Sequence, residues 1–270
     1  MAKGDLKKNL RRGVYVIPTS FTILNLFFGF RCMIYATRAL ESIASGHSVY
    51  AAELFETACL SLLFAAIFDT FDGLVARQLG ATSEFGKEYD SLADVVTFGA
   101  APAVLVYAWG LHVLDKLGGG IAFLFLVAVS LRLARFNVQT GKTDYRYFVG
   151  LPSPGGALTI ASIINYASAP VTDHRFAIVI AITVVAVAFA MVSPIRYRSQ
   201  KGLALQKERS LMYFLALALI VGLASKWPRE FWFIGAICYL VSGPFLRLWS
   251  IAFPSRRVEG EIASAVDAHP

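Results

Sequence analysis

Apolar residues in this chain neither alternate with polar ones at the period of a strand nor mark one face of a soluble helix. They come in long blocks separated by short polar stretches. A helix needs about 20 mainly apolar residues to cross the hydrocarbon core of a bilayer. On that measure the blocks predict spans at roughly 18–38, 54–77, 90–110, 119–138, 153–169, 175–195, 210–227 and 231–250. The fifth is short and the sixth begins just after Pro170, so these two also read as a re-entrant pair. A six-span core with extra C-terminal helices is the variant that follows. The fold class predicted is all-α, a polytopic transmembrane helical bundle. Residues 1–17 form a basic N-terminal segment in this reading, 18–250 the integral membrane domain, and 251–270 a polar tail. The apolar stretch after the basic start is too long for a signal peptide and lacks a small-residue cleavage site, so it is read as a retained helix.

Composition agrees: 57% of the 270 residues are hydrophobic and 16% are charged, with a mean hydropathy of +0.60. A soluble domain carries about 25% charged residues. One of this size leaves roughly a quarter of its chain area in water, too much to hide this apolar content. The net charge of +7 would suit a polyanion, but its distribution points elsewhere. With both termini on one side, that side carries 19 Lys and Arg and the other 5, with Arg31 inside the first span. That is the positive-inside pattern, so the termini are expected in the cytoplasm and no nucleic-acid partner is expected. Acidic residues fall within spans only in the first half of the chain, and no internal repeat is visible, which argues against an inverted-repeat transporter.

Cys32, Cys59 and Cys238 lie within apolar blocks and are read as small hydrophobes. The four histidines are scattered through loops and tail, with no zinc-like spacing. The unusual chemistry lies between Phe64 and Pro102. Asp69 and Asp72 end the second span, and Asp90 and Asp94 open the third. Intramembrane carboxylates are costly and are read by default as functional. At 100° per residue Asp69, Asp72 and Ala76 share a face, while Gly86, Asp90 and Asp94 form an i, i+4, i+8 stripe on the next helix. Two antiparallel neighbours would aim both stripes at one volume. Four carboxylates there require neutralising cations, and an all-oxygen donor set favours hard divalent ions. A pair of such ions would suit displacement at phosphorus. Gly73, Ala76 and Gly86 leave room for a planar group such as a nucleobase, or else simply permit close helix packing. Arg77 is a fixed cation suited to a phosphate.

The pattern Asp69-x2-Asp72-Gly73-x2-Ala76-Arg77-x8-Gly86-x3-Asp90-x3-Asp94 resembles the signature of the CDP-alcohol phosphotransferase family, with every fixed position filled. Eight specified residues would match by chance on the order of once in 10¹⁰ start positions. The resemblance implies a helical membrane homodimer with a polar cavity at the cytoplasmic interface. It also implies transfer of a phosphoalcohol from a CDP-linked donor to a hydroxyl, with release of CMP. In that scheme Asp69, Asp72, Asp90 and Asp94 hold two Mg²⁺ or Mn²⁺ ions, and Asp94 is the general base. Asp69, Gly73, Ala76, Arg77, Gly86 and Asn25 line the nucleotide site.

Three further stretches resemble the bacterial serine-accepting branch, which implies CDP-diacylglycerol and L-serine as substrates. They are Asp90–Pro102, Leu131–Asn137 and Phe148–Pro154. Thr22, Asn25 and Gly29 of the first helix also fit, whereas Thr19 stands where that branch usually has Asn. Arg132 and Arg135 lie one turn apart at the cytoplasmic end of the fourth span, with Asn137 beside them. A guanidinium can hold a serine carboxylate or a pyrophosphate in a bidentate fork, or anchor in lipid headgroups. Ser153, in the turn Gly150–Pro154, is a further substrate candidate. The alternatives are a sibling enzyme taking glycerol phosphate, inositol phosphate or choline, and a cation transporter using the carboxylates as its ion site.

Overall fold

The computed structural model describes residues 3–78, 83–139, 147–193, 196–198 and 228–252. Side chains before Thr19, and those of Ala76 and Arg77, lie outside the described set, as do the predicted span 210–227 and the tail beyond Ala252.

The chain is helical, as its apolar blocks require, because backbone groups in lipid must be satisfied within the segment. The first helix, α1, runs unbroken from Lys3 to Ala44, and α2 from Ser48 to Gln78. They pack along their length as an antiparallel hairpin. The turn is a Schellman cap: Gly46 takes φ +80°, its N–H donates to Ile43 O, and the His47 N–H donates to Ser42 O. Small side chains let the two helices close, with Cys32, Ala36 and Ala39 on α1 meeting Ala51, Ala58 and Cys59 on α2, all fully buried. The cysteines are free thiols, and Cys238 is exposed.

Helix α3 (Glu84–Asp94) starts at an N-cap, where Ser83 Oγ accepts from the Gly86 N–H at 2.9 Å. It widens at once into a π-helical turn, Val95–Ala100, and continues as α4 (Ala101–Trp109). A 3₁₀ turn (Leu111–Leu114) leads into α5 (Asp115–Gln139). Then come α6 (Ser153–Tyr166), α7 (His174–Val192) and α8 (Pro228–Ala252). A two-stranded antiparallel ladder of three residues each, β1 (Tyr147–Val149) with β2 (Arg196–Arg198), ties the segment after α5 to the segment after α7.

Among the described residues five stretches are long and apolar enough to cross a bilayer: Thr19–Ala44, Ser48–Val75, Glu84–Trp109, Leu111–Val138 and His174–Val192. They match the first four predicted spans and the sixth. The fifth ends early. Helix α6 has 14 residues, about 21 Å at 1.5 Å per residue, against about 30 Å of hydrocarbon. Pro170 disfavours helix in the residues before it. The released backbone is taken up by Trp109, whose Nε1 donates to Ala167 O and Ala169 O at 3.0 Å and whose carbonyl accepts from the Val171 N–H. Outward faces carry Phe27, Phe30, Phe123, Ile182 and Phe189, the surface expected against lipid tails.

Candidate active site

The motif residues gather at one end of the bundle. That end holds the last turns of α2, helix α3 through its last residue Asp94, the end of α5, the start of α6 and the end of α7. Asp69, Asp90 and Asp94 each offer a carboxylate oxygen, and these oxygens lie within 4.8 Å of one another. Asp69 and Asp94 approach to hydrogen-bonding distance. Ionised carboxylates this close repel by about 3 kcal/mol per pair at an effective dielectric near 20. The cluster therefore calls for cations. Asp90 Oδ1 is buried and has no hydrogen-bond partner among the described residues, an open lone pair aimed into a site of oxygen donors. That donor set fits a hard divalent ion.

Asp72 is placed differently from its three companions. It is buried, near enough to Asp69 and Asp90 to share their field, but its Oδ2 accepts a short hydrogen bond from the Thr22 hydroxyl. Helix α1 supports the site in a regular stripe. Thr22 holds Asp72. Asn25, one turn on and fully buried, donates from Nδ2 to Asp94 Oδ1 at 3.4 Å. Gly29, a further turn on, is where α1 meets the π turn. A Cβ there would stand 2.6 Å from Thr97 Oγ1 and 2.8 Å from Thr97 Cα, so only glycine allows the approach. Thr97 in turn donates to the Asn25 carbonyl at 3.4 Å. The π turn immediately after Asp94 thus seats the third helix against α1. π-bulges inside helices often mark functional sites.

The small residues separate into two kinds. At Gly73 an added Cβ would meet nothing within 4 Å, so the surface beside Asp72 is open. At Gly86 it would stand 3.0 Å from Ser83 Oγ, so this glycine also serves the helix cap.

The arginines separate as well. Arg132 donates from Nη1 to Ser153 Oγ at 2.7 Å and lies in the field of Asp94 and Asp69, so it faces the carboxylates. Ser153 is fully buried at the start of α6, with Pro154 in its first turn. Arg135 donates instead to Val192 O at 2.8 Å, closing the end of α7. Asn137 donates to Ser91 Oγ at 3.0 Å, joining α5 to α3. The turn before α6 is fixed by Gly150, at φ +82°, where a Cβ would collide with Met191 O. The Leu151 N–H donates to Ala190 O at 3.0 Å. Sequence reasoning missed the roles of Thr97 and Ser91, whose only signal was their place within the Asp90–Pro102 stretch. It gave no partner for Thr22.

Fold and site together define an integral membrane protein with an acidic cluster of metal-binding geometry at one end of its helical bundle. The chain belongs to the CDP-alcohol phosphatidyltransferase family, whose model matches residues 15–192. It is 29% identical over 237 residues to a CDP-diacylglycerol–serine O-phosphatidyltransferase of Helicobacter pylori strain J99, covering 85% of this chain and 90% of that protein. It is 34% identical over 182 residues to the enzyme of the same name from Bacillus subtilis, covering 67% of this chain and 89% of that protein. An archaetidylserine synthase of Methanothermobacter thermautotrophicus is 39% identical over 150 residues, covering 54% of this chain and 60% of that protein.

Proposed function

We propose that this protein transfers the phosphatidyl group of CDP-diacylglycerol to the hydroxyl of L-serine, giving phosphatidylserine and CMP. The observation that carries the reading is the convergence of Asp69, Asp90 and Asp94, with Asn25 holding one oxygen of Asp94. The relatives that share this chain's family and carry the serine-transfer name support the choice of acceptor.

Asp69, Asp90 and Asp94, with Asp72 beside them, would hold two divalent cations, Mg²⁺ or Mn²⁺. Such ions supply neutralisation of the pyrophosphate and stabilise the CMP oxyanion as it leaves. Asp94 takes the proton of the serine hydroxyl, and Asn25 holds that carboxylate by donating to its Oδ1. The serine oxygen then bonds to the phosphorus that carries diacylglycerol, while the bond from that phosphorus to the CMP oxygen breaks. Among the described residues the site brings no Ser or Cys nucleophile into contact with a His base, which favours a single displacement over a covalent intermediate. Asp69, Gly73, Ala76, Arg77, Gly86 and Asn25 form the nucleotide side of the cavity in this reading. Arg132 offers its guanidinium to the serine carboxylate from the other side, and Ser153 orients it. The site end of the bundle faces the cytoplasm of a bacterial inner membrane, and the protein works as a homodimer.

The test is CMP release from CDP-diacylglycerol by purified protein with serine, glycerol phosphate, inositol phosphate or choline offered in turn. Release with serine alone is expected. Release with another alcohol alone would move the acceptor, and cation-driven uptake without CMP release would replace the enzyme reading by a transporter.

A further inference from the structure

The family model ends at residue 192, yet α8 returns to the site. It packs on α6, with Trp232, Tyr239 and Leu240 set against the core. Phe233 stacks on Tyr166 with ring centroids 4.8 Å apart, and Arg229 pairs with Glu56 on α2 at 2.7 Å. These contacts fix both position and rotation of α8. Trp232 and Tyr239 are two turns apart on the same face, since seven residues at 100° return to within about 20°.

That register carries the Tyr239 ring to the first turn of α6. A Cβ added at Gly155 would stand 3.0 Å from Tyr239 Cε1 and 3.6 Å from Cδ1, so one edge of the ring abuts the glycine. Two residues earlier is Ser153, the partner of Arg132. Tyr239 and Arg132 lie within electrostatic reach of each other. The guanidinium thus bonds Ser153 of α6, has the Phe136 ring centre 5.7 Å from its carbon, and has Tyr239 of α8, Asp69 and Asp94 within electrostatic reach. An arginine forks onto a carboxylate only in a narrow range of orientations. A long side chain held at one side alone would lose that orientation.

We infer that Tyr239 is a positioning residue for the acceptor site, its phenol oxygen setting the orientation in which Arg132 receives the acceptor's carboxylate. The inference rests on the serine-transfer reading above. Tyr239→Phe keeps the ring on Gly155 and removes the oxygen, so the fold should be unaffected. Gly155→Ala keeps the oxygen and pushes the ring by a few tenths of an ångström.

The experiment is steady-state kinetics on the full-length protein in nanodiscs, varying serine at saturating CDP-diacylglycerol and then the reverse. For Tyr239→Phe the serine KM should rise about tenfold, the effect of one hydrogen bond to a charged group. Its kcat should stay within about twofold, with the donor KM and thermal midpoint as in wild type. Gly155→Ala should shift the serine KM in the same direction by less. A serine KM unchanged in Tyr239→Phe, with Arg132→Lys raising it, would overturn the inference. So would a rise in the donor KM alone. If the wild-type protein releases CMP only with a different acceptor, the serine reading falls instead. The same Tyr239→Phe comparison with that acceptor then decides the positioning role.

Discussion

Asp94 and Asp69 sit in one cluster but touch different things, and two phenotypes follow. Asp94 is held by Asn25 and faces Arg132, the place of a proton acceptor. Asp94→Asn should lower kcat by about 10²–10⁴-fold, the range of a positioned general base, while leaving CDP-diacylglycerol binding within a few-fold of wild type in an equilibrium assay. A wild-type rate would remove it from that role. Asp69 lies between Asp72 and Asp94, so Asp69→Asn should act through the ions. Its activity should need a higher divalent-ion concentration, read from a Mg²⁺ or Mn²⁺ titration. Arg135 gives a contrast: its guanidinium closes the end of α7. Arg135→Ala should lower the unfolding midpoint in detergent and leave the serine KM unchanged, because only Arg132 of the two faces the carboxylates. The convergence of Asp69, Asp90 and Asp94 was legible in the sequence because helical spacing alone assigns their faces, whereas the bond from Thr22 to Asp72 was not. The division between Arg132 and Arg135 was not, because residues three apart share a helix face while their partners, Ser153 and Val192, lie on other helices.

At the scale of the elements, the site depends on how closely α1 meets the π turn after Asp94. Gly29 is the contact point, and even one methyl group there would press on the Thr97 backbone. Gly29→Ala should cost about 1–3 kcal/mol, the usual penalty for overpacking. It should also cut activity, whereas Gly120→Ala, where a Cβ meets nothing within 4 Å inside α5, should leave stability and activity near wild type. Thermal unfolding and CMP release on the same preparations would separate the two effects. Residues Thr22, Asn25 and Gly29 could be picked from the sequence only by resemblance. Their partners lie 50 to 72 positions away, beyond any local periodicity. The early end of α6 has a different cause. Apolar content continues past Tyr166, but Pro170 and the bonds to Trp109 decide where the helix stops.

Across the whole molecule the polar groups are sorted by end. The carboxylates, Arg132 and the β1–β2 ladder share one end, while Glu56, Ser168 and Arg229 form a hydrogen-bonded group near the starts of α2 and α8. The apolar blocks made the helical membrane bundle legible without any structure. The packing of α8 was not, because its contacts with α6 involve single aromatic residues in an otherwise uniform apolar run. The central claim is that the carboxylate end of this bundle couples a divalent ion to transfer onto serine. The measurement that tests it most directly follows labelled L-serine and CDP-diacylglycerol with the purified protein while the divalent ion is titrated from chelated to millimolar. The account predicts labelled lipid and CMP rising together, one for one, with both abolished by chelation and restored by Mg²⁺ or Mn²⁺. Lipid labelling that persists at full rate under chelation, or in the triple variant Asp69→Asn, Asp90→Asn, Asp94→Asn, would contradict it.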